Sequence, residues 1–170
     1  MSDYDVSSES PYAFLDDREV RAWYAYMKVH LRLRYEMNRQ LRADHGISLA
    51  DYDVLVALVS DEHGTLTVSD LATRIGAERS RVSHHVQRMA GRDLLEMRPS
   101  STDRRATDVV LTNAGRRLLA DVSPSHIAFV RSVFLDTLTP GQLDQMAESF
   151  EGVYERLIAK GTLPRPADHP

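Results

Sequence analysis

Apolar positions along the chain change their period in a definite order. From Asp16 to Asp44, Val20, Trp23, Tyr24, Met27, Leu31 and Tyr35 form one stripe, with Tyr26, His30, Leu33 and Met37 close beside it. Spacing of three and four residues predicts one long helix, and its apolar surface is too broad for a helix packed on one side only. Gly46 ends it. Ser48-Leu49-Ala50-Asp51 then has the form of a capping box opening a helix through Ser60, with Tyr52, Leu55, Val56 and Val59 facing inward. A polar turn over 61–64 leads to Thr65-Leu66-Thr67, a candidate short strand, and Thr67 caps a brief helix from Val68 to Ile75 that stops at Gly76. A further helix starts near Arg79 and runs to about Arg92, with Val82, Val86 and Met89 at i, i+4 and i+7. Two helices joined by a tight, glycine-containing turn predict a helix-turn-helix.

Two strand-like runs follow, Leu94 to Arg98 and Thr107 to Leu111, separated by the basic, polar stretch 99–106; they predict a hairpin. Thr112 or Asn113 caps a helix reaching about Leu138, and Thr139-Pro140-Gly141-Gln142 opens a last helix ending near Lys160-Gly161. The fold class expected is mainly α with a small β-hairpin wing.

Charge sharpens this picture. The net charge of −4 argues weakly against a nucleic-acid partner, but residues 79–105 hold seven arginines against three acids, +4, while the rest of the chain carries 14 basic and 22 acidic side chains, −8. Such a dipole attracts phosphate at one surface. With Val82, Val86 and Met89 turned inward, the opposite helix face presents Ser80, Arg81, Ser83, His84, Gln87 and Arg88, all donors or acceptors. A helix fits the major groove, where Arg binds guanine bidentately and Gln reads adenine. Arg88, near the helix end, suits base reading and phosphate positioning equally. At the hairpin, Arg104 and Arg105 follow Asp103, whose carboxylate is better placed to brace a neighbouring arginine than to face phosphate.

Residues from about Asp16 to Ala159 resemble the MarR (multiple antibiotic resistance regulator) family. The most specific stretch is 68–115: Ser80-Arg81-Val82-Ser83-His84-His85-Val86-Gln87-Arg88-Met89 resembles the family's recognition helix. Asp103-Arg104-Arg105 with Val109-Val110-Leu111-Thr112-Asn113-Ala114-Gly115 resembles its wing and the start of the next helix. The chain departs from the family pattern at His84, where an arginine is common, and at His85, where a leucine-like side chain is usual; His85 is expected to be a packed or boundary histidine. The resemblance places the second wing arginine, Arg105, in the minor groove, where narrow A·T-rich segments attract it.

These readings divide the chain into a flexible N-terminal segment (1–15), an N-terminal dimerisation helix (16–46), a winged helix-turn-helix DNA-binding domain (47–112; recognition helix about 79–92, wing about 94–111), C-terminal dimerisation helices (113–161) and a flexible tail (162–170). A winged helix needs only the middle segment, so the apolar flanks, including Ile127, Val130, Val133, Phe134, Leu135 and Leu138, are expected to interlock with a second copy. Two-fold symmetry would set two recognition helices ~34 Å apart on an inverted-repeat site. The resemblance further implies a prokaryotic repressor released by a small aromatic or phenolic effector, for which Trp23, Met27, His30, Arg34 and Tyr52 are the candidate lining.

Other functions find less support. There is no G-x-S-x-G, P-loop, G-x-G-x-x-G or H-E-x-x-H pattern and no cysteine, so neither an enzyme, a cofactor nor a thiolate metal site is expected. His84 and His85 are adjacent and diverge by about 100° on a helix, a poor metal pair. No leader and no run near 18 apolar residues is apparent, which predicts a cytoplasmic chain without a membrane partner. A winged-helix protein-interaction module without specific DNA binding is the alternative; the arginines at 81, 88, 104 and 105 speak against it, since interaction surfaces favour aromatic residues over charge.

Overall fold

In the computed structural model, which describes residues 6–101 and 103–167, six helices and three short strands follow the predicted order. Helix α1 (Asp17–His45) opens on a full capping box between Asp16 and Glu19 and closes at Gly46, whose φ of 67° is the left-handed conformation a helix C-terminus needs. Helix α2 (Leu49–Val59) opens on the reciprocal box of Ser48 and Asp51. Strand β1 (Thr65–Thr67), α3 (Val68–Arg74) and α4 (Arg79–Ala90) come next, with Gly76 at φ 64° making the turn between the two helices. Strands β2 (Leu95–Pro99) and β3 (Thr107–Leu111) form the hairpin.

The hairpin is one part of a three-stranded antiparallel sheet of order β1-β3-β2. Leu95 stands opposite Leu111 and Met97 opposite Val109, while Thr65 pairs with Val110. This register turns Leu95, Val109 and Leu111 onto the helices, where they join Val54, Leu55, Leu58, Leu71, Val82, Val86 and Met89 in one buried cluster. A second cluster, Leu41, Ile47, Leu49 and Val122, fastens α1 and α2 to α5 (Asn113–Val133), and Tyr52 and Leu118 pack against both.

Helix α5 is shorter than its apolar pattern predicts. At Phe134 the backbone leaves the helix (φ −132°, ψ −63°) and makes a 3-10 turn over Leu135–Thr137. Phe134 and Leu138 line, with Val29 and Leu33 of α1, an apolar groove of about 670 Å³. The stretch 113–137 is long and apolar enough to cross a membrane by length and composition. Its inner face, however, packs Leu119, Val122 and His126 into the protein, and Asp121 and Arg131 interrupt its outer face, the pattern of an amphipathic core helix. Helix α6 (Pro140–Lys160), capped by Thr139 and Gln142, has no buried residue.

The described residues near both ends make contacts with the rest of the chain. Pro11–Phe14 is a 3-10 turn capped by Ser10, and the Tyr12 ring meets Tyr24 edge-on at 6.0 Å. Beyond α6, Arg165 grips Glu155 through two hydrogen bonds of 2.8 and 2.5 Å, and Arg74 of α3 donates to the Ala167 carbonyl. The remaining terminal residues, 1–5 and 168–170, lie outside the described segments.

Candidate nucleic-acid interface

Burial along α4 divides its residues by face. Val82, Val86 and Met89 are buried, whereas Ser80, Arg81, His84, Gln87 and Arg88 are exposed and Ser83 is half-buried at the boundary. The helix has no side-chain cap hydrogen bond at Glu78, so the free N–H groups of its first turn stay available to an anion. On the wing, Arg104 and Arg105 are both exposed at the tip. Asp103 Oδ1 accepts the Arg105 N–H at 2.9 Å, while the Asp103 carbonyl accepts from Ala106. At the base of the tip the Ser100 N–H donates to the Ala106 carbonyl at 3.0 Å.

Behind the exposed face lies an anchor that spacing in the sequence does not reveal. The Asp51 carboxylate is buried; its Oδ2 accepts from the Ser48 N–H (2.9 Å) and from Arg92 Nη1 (3.1 Å), and its Oδ1 lies 3.0 Å from His85 Nε2. Burial would push this carboxyl up, but the adjacent His85 ring and the hydrogen bonds from Ser48 and Arg92 outweigh it and hold it well below the usual carboxylate range. His85 Nε2 is itself buried and is not aimed squarely at a hydrogen-bond acceptor, so its contact with Asp51 is more electrostatic than directional. The capping box was legible as Ser48-x-x-Asp51; that the same carboxylate also holds α4 depends on packing.

The candidate effector lining divides into two places. Arg34 and Tyr52 border a cleft of about 350 Å³ together with Asp53, Val56, Arg74 and Ile75. Trp23, Met27 and His30 lie nearer the start of α1, where Trp23, Tyr26 and His30 stack in series and Phe150 of α6 meets Tyr26 edge-on at 6.3 Å. Arg34 is already paired with Asp53 at 3.3 Å, so its cation is not idle. Burial pushes the Asp53 carboxyl up against the pull of Arg34. Beside the cleft, the His126 ring lies 4.5 Å from Tyr52.

Among the described residues no group of histidines and carboxylates is arranged to hold a metal ion.

Comparison with known proteins places this geometry. The sequence profile of the MarR family matches residues 45–106, from the end of α1 to the wing tip. AbsC, a MarR family transcriptional regulator from Streptomyces coelicolor, is 32% identical and superposes with a TM-score of 0.81 over 86% of this chain and 98% of its own. Sco3205, another MarR family transcriptional regulator from Streptomyces coelicolor, whose crystal structure is a complex with DNA, is 29% identical with a TM-score of 0.83 over 93% of this chain and 98% of its own. The transcriptional repressor MprA of Escherichia coli is 27% identical over 139 residues, 81% of this chain and 78% of its own length. Sequence and fold agree with these relatives: the chain belongs to the MarR family of winged helix-turn-helix, DNA-binding transcriptional regulators.

Proposed function

We propose that the protein is a homodimeric repressor that reads an inverted-repeat DNA site with α4 in the major groove and the wing in the minor groove. In this reading residues 47–112 are the DNA-binding domain and 16–46 and 113–161 the dimerisation helices. Ser80, Arg81, Ser83, His84, Gln87 and Arg88 contact the major groove, and Arg104 and Arg105, braced by Asp103, contact the minor groove. The carrying observation is the division of α4: a fully polar, exposed face directly opposite three buried apolar side chains, with two exposed arginines on the adjoining hairpin tip. Repression is supported by the likeness to MprA, a transcriptional repressor. Its place of work is then the cytoplasm of a prokaryotic cell, where the chromosome lies.

Release by a small aromatic or phenolic molecule belongs to the same reading. The cleft between α1, α2 and α3, with Tyr52 as an aromatic wall and Arg34 as a cation, is the place for it. A carboxylate there would compete with Asp53 for Arg34. A ligand acts only through its preference for the arrangement that cannot bridge both half-sites.

Selection and sequencing of short duplexes at two salt concentrations, with an Arg81→Ala, Arg105→Ala double variant alongside, tests the proposal. An inverted-repeat consensus is expected, with affinity that falls steeply with salt and collapses in the variant. Equal, weak binding by both proteins with no enriched sequence would instead favour the interaction-module alternative.

A further inference from the structure

The buried anchor behind α4 continues outward to its reading face. His85 Nδ1 lies 3.0 Å from Arg88 Nη2, and His85 Nε2 lies 3.0 Å from Asp51 Oδ1. A guanidinium has donors only, so Nδ1 is the acceptor and the ring proton sits on Nε2, the nitrogen that faces the carboxylate. Asp51 thereby favours the one neutral tautomer able to hold Arg88, and its own orientation is set by Ser48 and Arg92. Three side chains form a line from the capping carboxylate of α2 through a largely buried imidazole to an exposed arginine.

We propose that His85 is a positioning residue for DNA recognition: with its tautomer set by the neighbouring Asp51 charge, it pins the Arg88 guanidinium in place for the groove before DNA arrives. An exposed arginine loses much rotamer freedom when it docks, and tethering one of its five N–H donors removes part of that cost while leaving the others for DNA. This rests on the reading that Arg88 touches DNA. A leucine side chain at this position could pack the same boundary but could not accept from Arg88.

The test compares affinity and base preference on the selected duplex for wild type, His85→Leu, Arg88→Ala, the double variant and Arg92→Ala, with thermal melts throughout. His85→Leu is expected to weaken binding by about 5-fold and to flatten preference at the same base positions as Arg88→Ala, and the double variant is expected to bind no worse than Arg88→Ala alone. Arg92→Ala removes one of the donors that orient Asp51, one step further from Arg88; it is expected to lower the melting temperature and to flatten preference at the same base positions as His85→Leu, to a smaller extent. His85→Gln, whose amide oxygen can accept from Arg88, is expected to recover part of the lost preference. Additive losses in the double variant, or a His85→Leu loss spread evenly over all positions, would overturn the positioning role while leaving Arg88 as a DNA contact. An Arg88→Ala protein with unchanged affinity and preference would remove the DNA contact itself, and the positioning role with it.

Discussion

Gly115, in the first turn of α5, sits where no side chain fits. A Cβ there would lie 2.4 Å from the Leu94 carbonyl oxygen and 2.8 Å from Leu111 Cδ1, and the first of these is backbone that cannot swing aside. The close approach lets the Thr112 hydroxyl, the cap of α5, also reach the Asp93 and Leu94 carbonyls at 2.7 and 2.9 Å. One residue thus ties the start of α5 to the start of the hairpin. Gly115→Ala is expected to destabilise the fold by about 2 kcal/mol, seen as a fall of ~6 °C in melting temperature. An unchanged melt would mean that the α5–β2 junction yields more readily than its geometry implies.

Helices α1, α2 and α5 meet at His126, and the polar chemistry of that junction makes their packing pH-dependent. His126 is 2% exposed and its Nδ1 lies 2.8 Å from Gln40 Oε1; because the Gln40 amide nitrogen is turned to Asp44, the imidazole is the donor. Burial pushes its pKa below the ordinary 6.5, the charge of Asp53 opposes this and that of His45 adds to it. The folded protein therefore binds fewer protons here than the unfolded chain does. Stability from this site is fully present above about pH 6.5, declines as pH falls toward the lowered folded value, and levels off beneath it. Urea unfolding at about pH 7.5 and about pH 5.5 is expected to show a larger acid loss in wild type than in His126→Gln, which cannot take up the proton. Equal losses in the two proteins would locate the acid sensitivity elsewhere.

At the scale of the whole molecule, one chain leaves apolar surface unaccounted for. Helix α6 has no fully buried residue, and Phe150, Val153, Tyr154 and Leu157 are 43–62% exposed. On α1, Trp23, Tyr26, Leu31 and Tyr35 are exposed as well, beside the apolar groove between α1 and α5. A lone soluble chain rarely presents that much contiguous apolar surface, which supports the proposed homodimer. Sedimentation is expected to give about twice the 19.2 kDa chain mass. Phe150→Asp with Leu157→Asp is expected to give a monomer that melts as a folded protein but has lost most of its affinity for an inverted repeat, since one reading head cannot engage both half-sites. A monomeric wild type would remove the reason for two-fold DNA sites.

Local chemistry made much of this protein legible in advance. The capping patterns at Ser48 and Thr139, the glycines at 46 and 76, and the i, i+4, i+7 spacing of Val82, Val86 and Met89 act between near neighbours, so they specify the helices and the polar face of α4 wherever the chain goes. Hairpin pairing needed only two short apolar runs around a polar tip. Tertiary structure decided what depends on contacts between distant segments. Phe134 leaves its helix at a 3-10 turn and lines the groove beside α1, and of the proposed effector lining Arg34 and Tyr52 share a cleft with Arg74 and Ile75 of α3 while Trp23 and His30 flank Tyr26, which meets Phe150 of α6. Asp51, identical in sequence to any capping aspartate, became the partner of His85 and Arg92 only when α2 and α4 packed together and buried its charge, since a desolvated carboxylate must find donors wherever the fold supplies them.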